Sequence, residues 1–137
     1  MIDELKADLL RDEGLRRTAY QDHLGFWTIG VGRLIDGAKG GGISEDEAMM
    51  LLENDIAKFT ARLDAELPWW KSRPDNVQRA MANMAFQLGM GGLQEFKRML
   101  ACLQAGDYAG AKREALDSTW AKQTPERAAR VVALFSP

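Results

Sequence analysis

Hydrophobic positions recur with helical spacing over most of this chain, and only one stretch near the N-terminus breaks that rhythm. Ile2, Leu5, Leu9 and Leu10 share one face, and Gly14 follows the last turn. This predicts a helix over 3–13, closed by a residue that tolerates the left-handed cap. From Thr18 to Asp36 the pattern changes to short aromatic and β-branched runs, Thr18–Tyr20, Phe26–Ile29 and Val31–Ile35, separated by Gly25, Gly30 and Gly32. Such runs between glycines predict a small antiparallel sheet. Lys39-Gly40-Gly41-Gly42 reads as a turn, and Ser44-Glu45-Asp46-Glu47 as a capping box with serine at the N-cap and glutamate three residues on. The helix it opens carries Ala48, Leu51, Leu52, Ile56, Phe59 and Leu63 before Pro68. About 22 residues at about 1.5 Å each give about 33 Å, long enough to join two lobes.

Beyond Pro68 every pattern is helical. Val77, Ala80, Met81, Met84, Ala85 and Leu88 form a stripe closed by Gly89-Met90-Gly91-Gly92, and Leu93, Phe96, Leu100 and Leu103 form another closed by Gly106. Asp107 caps a helix bearing Tyr108, Ala111, Ala115 and Leu116. Thr124 is the expected N-cap of a last helix, with Pro125 in the first turn where its missing N–H costs nothing. The fold class is therefore α+β: a small sheet lobe joined by a long helix to a mostly helical lobe. With 137 residues the chain is one domain, with an N-terminal lobe at about 14–60 and a helical lobe at about 61–137 plus helix 3–13. Met81, Met84, Phe96 and Phe135 are expected in the core. Neighbouring helical residues point about 100° apart, so Trp69 and Trp70 are not expected to face the same core, and packing is preferred to sugar stacking for them.

An apolar share of 46% and a charged share of 28% exclude disordered and fibrous classes. No window has the uncharged apolar length of a membrane span, and Met1-Ile2-Asp3-Glu4-Leu5-Lys6 is too charged for a signal peptide, so a cytoplasmic start without membrane insertion is expected. The lone Cys102 forms no intramolecular disulfide and builds no metal site with His23, the only histidine; a small core residue is preferred to a reactive thiol. A net charge of −2 argues against a nucleic-acid partner. That charge is uneven. Residues 1–60 carry 7 Lys/Arg against 12 Asp/Glu, a net of −5, whereas residues 61–137 carry 11 against 8, a net of +3 that suits an anionic polymer.

Nucleophilic triads and phosphate loops find no support, since no Gly-x-Ser-x-Gly is present and Gly30-Val31-Gly32 lacks the third glycine of a dinucleotide site. A carboxylate pair remains. Glu13 ends the first helix, where the negative end of the macrodipole, joined by partial burial, would favour a proton donor. Asp22 lies nine residues later in a wet turn suited to an ionised carboxylate. Glycoside hydrolysis needs such a pair. On chemistry alone, a solvated helix end and a turn former carry the greater weight.

The run Glu13-Gly14-Leu15-Arg16, Tyr20-Gln21-Asp22, Gly25-Phe26-Trp27-Thr28-Ile29-Gly30-Val31-Gly32 shifts that balance. It resembles the catalytic region of phage-type lysozymes, glycoside hydrolase family 24. Ile43–Ala48, Asn83–Gly89 and Trp120–Ala128 extend the resemblance over nearly the whole chain. It implies a lysozyme-like α+β fold in which Glu13 is the proton donor, Asp22 the second carboxylate and Thr28 the holder of the attacking water, with inversion at the anomeric carbon. The Thr28 hydroxyl, able to donate and accept at once, is chemically suited to that task. Substrate contacts are implied at Leu34, Phe86, Met99 and Glu114, and neighbours of the acid at Asn83, Gln87 and Arg127. Arg127 would stabilise the Glu13 anion and oppose the dipole; structural ion pairing and a direct catalytic role both remain open for it.

Departures are expected to matter. Arg33 stands where the family usually has histidine, which predicts a difference in stability and not in chemistry. Met99 and Glu114 replace small polar residues of the T-even phage members. The connection Ile35–Ile43 is short, and the chain stops at Ser136-Pro137 without a final helix, as expected of a reduced hinge lobe or a domain cut from a longer protein. The resemblance implies a muramidase that hydrolyses the β-1,4 bond between N-acetylmuramic acid and N-acetylglucosamine for phage host lysis, with no metal and no cofactor. Its partner would be peptidoglycan glycan strands, its state a monomer, and a free endolysin would need a holin for access. The alternatives are an inactive lysozyme-like module that binds peptidoglycan or a protein, and a lysozyme domain carried in the virion.

Overall fold

The structure, a computed structural model, describes residues 1–137. Its elements are helix α1 (Ile2–Glu13), strands β1 (Arg16–Gln21), β2 (Trp27–Gly30) and β3 (Arg33–Leu34), a 3-10 turn (Gly37–Lys39) and the long helix α2 (Glu45–Glu66). A second 3-10 turn (Pro68–Ser72) precedes α3 (Asp75–Gln94), α4 (Lys97–Ala105), α5 (Tyr108–Leu116), α6 (Thr119–Gln123) and α7 (Pro125–Val132). The α+β class is as expected. The chain divides into two compact units, Met1–Met50 and Leu51–Pro137, with the division inside α2.

The first unit carries the sheet, antiparallel throughout in the order β1-β2-β3. Thr28 sits on the central strand opposite Tyr20 on one side and Leu34 on the other. At 3% exposure it is the buried polar residue of the chain. The capping box forms as predicted: Glu47 N donates to Ser44 Oγ over 3.1 Å, and Ser44 N donates to Glu47 Oε1 over 2.9 Å. No residue of α1 is buried, and Leu5, Leu9 and Leu10 are exposed. Within the first unit nothing covers the face predicted for this helix.

The hydrophobic core belongs to the second unit. Leu63, Val77, Met81, Met84, Met90, Leu93, Met99, Leu103 and Phe135 are essentially inaccessible. Each such side chain contributes about 1.5–3 kcal/mol relative to exposure. Phe96 is half-buried at the edge of this core. Of the stripe expected on α2, only Leu63 is buried, while Leu51, Leu52 and Ile56 are exposed. The tryptophan pair lies in a 3-10 turn: Trp70 is in the core with its indole N–H on Asp64 Oδ1 at 2.7 Å, and Trp69 packs at the core's edge.

Three local features add to the expectations. Gly89, at φ 73° and ψ 166°, closes the first stretch of α3 as expected, and a further helical segment with buried Met90 and Leu93 follows it. Helix α6, with Ser118 as N-cap accepting from Ala121 N at 3.2 Å, is too short to show a period in sequence. Thr124 stands at the N-cap of α7 with Pro125 in the first turn, as expected, but makes no side-chain capping bond. Its hydroxyl donates back to Trp120 O over 3.1 Å, because the same residue closes α6.

Candidate active site

Glu13, Asp22, Thr28 and Leu34 all lie in the first unit, on the end of α1, the β1–β2 turn, β2 and β3. The turn after β1 is built by Asp22. One of its oxygens, Oδ1, accepts from Leu24 N and Phe26 N, each at 2.9 Å, and the backbone closes with Asp22 N on Phe26 O and Gly25 N on Asp22 O, also at 2.9 Å. This is the side-chain turn that aspartate favours. It leaves Oδ2 unengaged. Asp22 is half-buried, so its ordering does not remove it from solvent.

Thr28 follows on the same framework. Its hydroxyl donates to Phe26 O over 2.9 Å, so its proton is committed and its remaining capacity is as an acceptor. The two-way hydroxyl anticipated from sequence is therefore narrowed to one direction. The peptide units of Phe26 hold both side chains, a link that no side-chain pattern announces.

Glu13 closes α1, and the Gly14 N–H donates to Leu10 O at 3.0 Å, which turns the chain into β1. The partial burial on which the acid argument leaned is absent, since Glu13 is exposed. Its carboxyl group lies against Gly32: a Cβ built there would stand 2.8 Å from Oε2 and 2.9 Å from Cδ. Leu34 is half-buried on β3, and its carbonyl accepts from Gly42 N at 3.0 Å.

The other sequence-assigned residues belong to the second unit. Arg127 Nε donates to Asn83 Oδ1 at 3.1 Å and Nη2 to Asn83 O at 3.5 Å; no carboxylate pairs with it. Gln87 instead accepts from the Trp120 indole at 2.9 Å. Phe86, exposed and 5.6 Å from the Phe59 ring, lines with Asn83 and Arg127 an apolar groove of about 370 Å³. Met99 and Glu114 line a larger groove of about 520 Å³ with Trp120, Ser118 and Gln123, Met99 being 1% exposed and Glu114 half-buried. Neither groove is lined by Glu13, Asp22 or Thr28. Cys102 is half-buried, and burial, followed by Asp107 and Glu114, raises its thiol pKa, as suits an inert cysteine.

Residues 11–133 match the family model described as phage lysozyme. The chain belongs to the phage lysozyme family. It is accordingly a glycoside hydrolase, a muramidase whose substrate is peptidoglycan. The lysozyme is 36% identical to the pre-baseplate central spike protein Gp5 of Enterobacteria phage T4, over 93% of this chain and 26% of that protein. It is 30% identical to the probable T4-type lysozyme 2 of Dictyostelium discoideum, over 98% of this chain and 95% of that one. It is 34% identical to the endolysin of Acyrthosiphon pisum secondary endosymbiont phage 1, over 85% and 78% of the two chains. The chain thus spans about a quarter of the spike protein and most of the other two. In this lysozyme Arg33 binds Glu47 through Nη1 at 2.7 and 2.8 Å and donates to Gly42 O at 3.4 Å.

Proposed function

We propose that Glu13 is the general acid of this muramidase, that Asp22 is the ionised carboxylate, and that Thr28 seats the attacking water. The observation that carries the reading is the shared anchoring of Asp22 and Thr28 on Phe26. A water that donates one proton to Thr28 Oγ1 and the other to Asp22 Oδ2 keeps a lone pair free for the anomeric carbon. Attack by this water, which gives its proton to Asp22 Oδ2 as Glu13 protonates the leaving oxygen on the opposite face, breaks the glycosidic bond and inverts the anomeric configuration. Leu34 and Phe86 would contact the glycan, with Glu114 presenting a carboxylate and Met99 shaping the floor beneath it.

Phage host lysis is the role we infer, with the protein a monomer made in the host cytoplasm and a holin giving it access to the wall. No helix is long and apolar enough to cross a membrane. A virion-carried role remains the second reading, favoured by the similarity to the T4 spike protein. A binding-only module is not favoured, because the matches are to a lysozyme family, a lysozyme and an endolysin. The test is E13Q: circular dichroism should match the parent while clearing of a cell-wall suspension is abolished. Retained clearing by the folded variant would refute the assignment.

A further inference from the structure

We infer that Gly32 is a positioning residue for the Glu13 carboxyl, a role that rests on Glu13 being the acid of the proposed function. Two constraints meet at this residue. Its φ of +66° lies in the left-handed region that L side chains rarely adopt. Its missing Cβ also makes room for the carboxyl, since an added methyl would stand 2.8 Å from Oε2, 2.9 Å from Cδ and 3.1 Å from Cγ of Glu13, all inside ordinary contact.

Only the first constraint is common. Gly14, Gly25, Gly30 and Gly40 also have positive φ, between 70° and 85°, yet a Cβ on any of them meets nothing within 4 Å. Gly32 alone combines the left-handed backbone with a carboxylate pressed against it. The obstacle is the far end of a flexible, exposed side chain, so a methyl at position 32 displaces the carboxyl at little further cost to the fold. Catalysis is less forgiving, because a misplacement of about 1 Å can cost about a hundredfold in rate. Gly32 therefore sets where the acid stands and not whether the chain folds.

The experiment compares G32A with G40A, which introduces similar backbone strain without a neighbour. Saturation kinetics on solubilised glycan strands should show kcat lowered by about 10- to 100-fold in G32A with KM nearly unchanged, and near-parental kcat in G40A. Thermal midpoints of the two variants should agree. The 13Cδ resonance of Glu13 should shift in G32A and stay in place in G40A, a readout independent of turnover. Equal kcat and an unmoved Glu13 resonance in G32A would overturn the inference. If G32A does not fold, the E13A/G32A double variant decides: recovery of the fold identifies the carboxyl as the obstacle, and no recovery overturns the proposal. The E13Q result separates the two levels. An active E13Q defeats the acid assignment, whereas an inactive E13Q beside a fully active G32A leaves the acid in place and removes only the role of Gly32.

Discussion

Asp22 and Thr28 are joined through one carbonyl: the backbone N–H of Asp22 and the hydroxyl of Thr28 both donate to Phe26 O, each over 2.9 Å. Phe26 N donates in turn to Asp22 Oδ1 over 2.9 Å, so the main chain of one residue anchors both side chains, and in the proposed site Asp22 Oδ2 and the Thr28 hydroxyl oxygen are the acceptors left for a water.

Replacing Thr28 should therefore separate chemistry from folding. T28V keeps the shape of the buried side chain and leaves Phe26 O still paired with Asp22 N, so the sheet survives with a loss of about 1 kcal/mol for one hydrogen bond. Without an acceptor for the water, kcat should fall by about a hundredfold, while T28S should retain most of the activity. Steady-state kinetics with a thermal midpoint for each variant checks this. Similar rates for T28V and the parent would remove Thr28 from the water site.

Asp22 is open to a sharper separation, because its two oxygens do different things. In D22N the amide oxygen can still accept from Leu24 N and Phe26 N, so the turn and the thermal midpoint should be retained while the charge is lost. Wall clearing should fall by about 10²- to 10⁴-fold, the range typical of a positioned acid or base. D22A removes the acceptor as well and should lower stability by about 1–3 kcal/mol in addition. Equal stability for D22N and D22A would mean that the turn does not depend on Oδ1.

What could be read from sequence was local or borne by motif. The capping box at Ser44–Glu47 depends on four consecutive residues, and the sheet on glycine-punctuated runs, so both were legible. Glu13, Asp22 and Thr28 stood out through their spacing in the family pattern. The anchor between Asp22 and Thr28 did not, because it is main chain of Phe26, and any residue supplies the same N–H and C=O. Exposure of the α1 face was equally illegible, since a period shows which side is apolar and says nothing of what covers it. Thr124 was legible as the N-cap of α7 but the use of its hydroxyl was not, because a residue between two abutting helices can serve either, and here the hydroxyl bonds the helix before it.

The positive second half bears on how the enzyme meets its substrate. A net of +3 over residues 61–137 should steer the protein toward an anionic wall, and the Debye length shrinks from about 30 Å at 0.01 M salt to about 3 Å at 1 M. Initial clearing rates should decline steadily across that range, with kcat on neutral soluble glycan unaffected. A flat salt profile on intact walls would dispose of the steering.

Arg33 and Glu47 give a pH prediction whose sign can be worked out. The Arg33 guanidinium, followed by Ser44 N, holds the Glu47 carboxyl down from 4.5 to about 2. A carboxylate with a depressed folded pKa favours the folded state fully above its unfolded pKa, and that contribution disappears as pH falls from 4.5 through about 2. R33M should raise the pH at which Glu47 titrates, though Ser44 N would still hold it below the free value. The parent should therefore be the more stable protein above about pH 5 and should lose more of its stability on acidification, so that the two thermal-midpoint curves converge toward pH 2. Both side chains are largely solvated, which keeps the separation small and salt-sensitive. Carbon-detected titration of Glu47 is the direct check: an unchanged midpoint in R33M would show that the guanidinium is not what holds the carboxylate ionised, and the stability difference would then need another source.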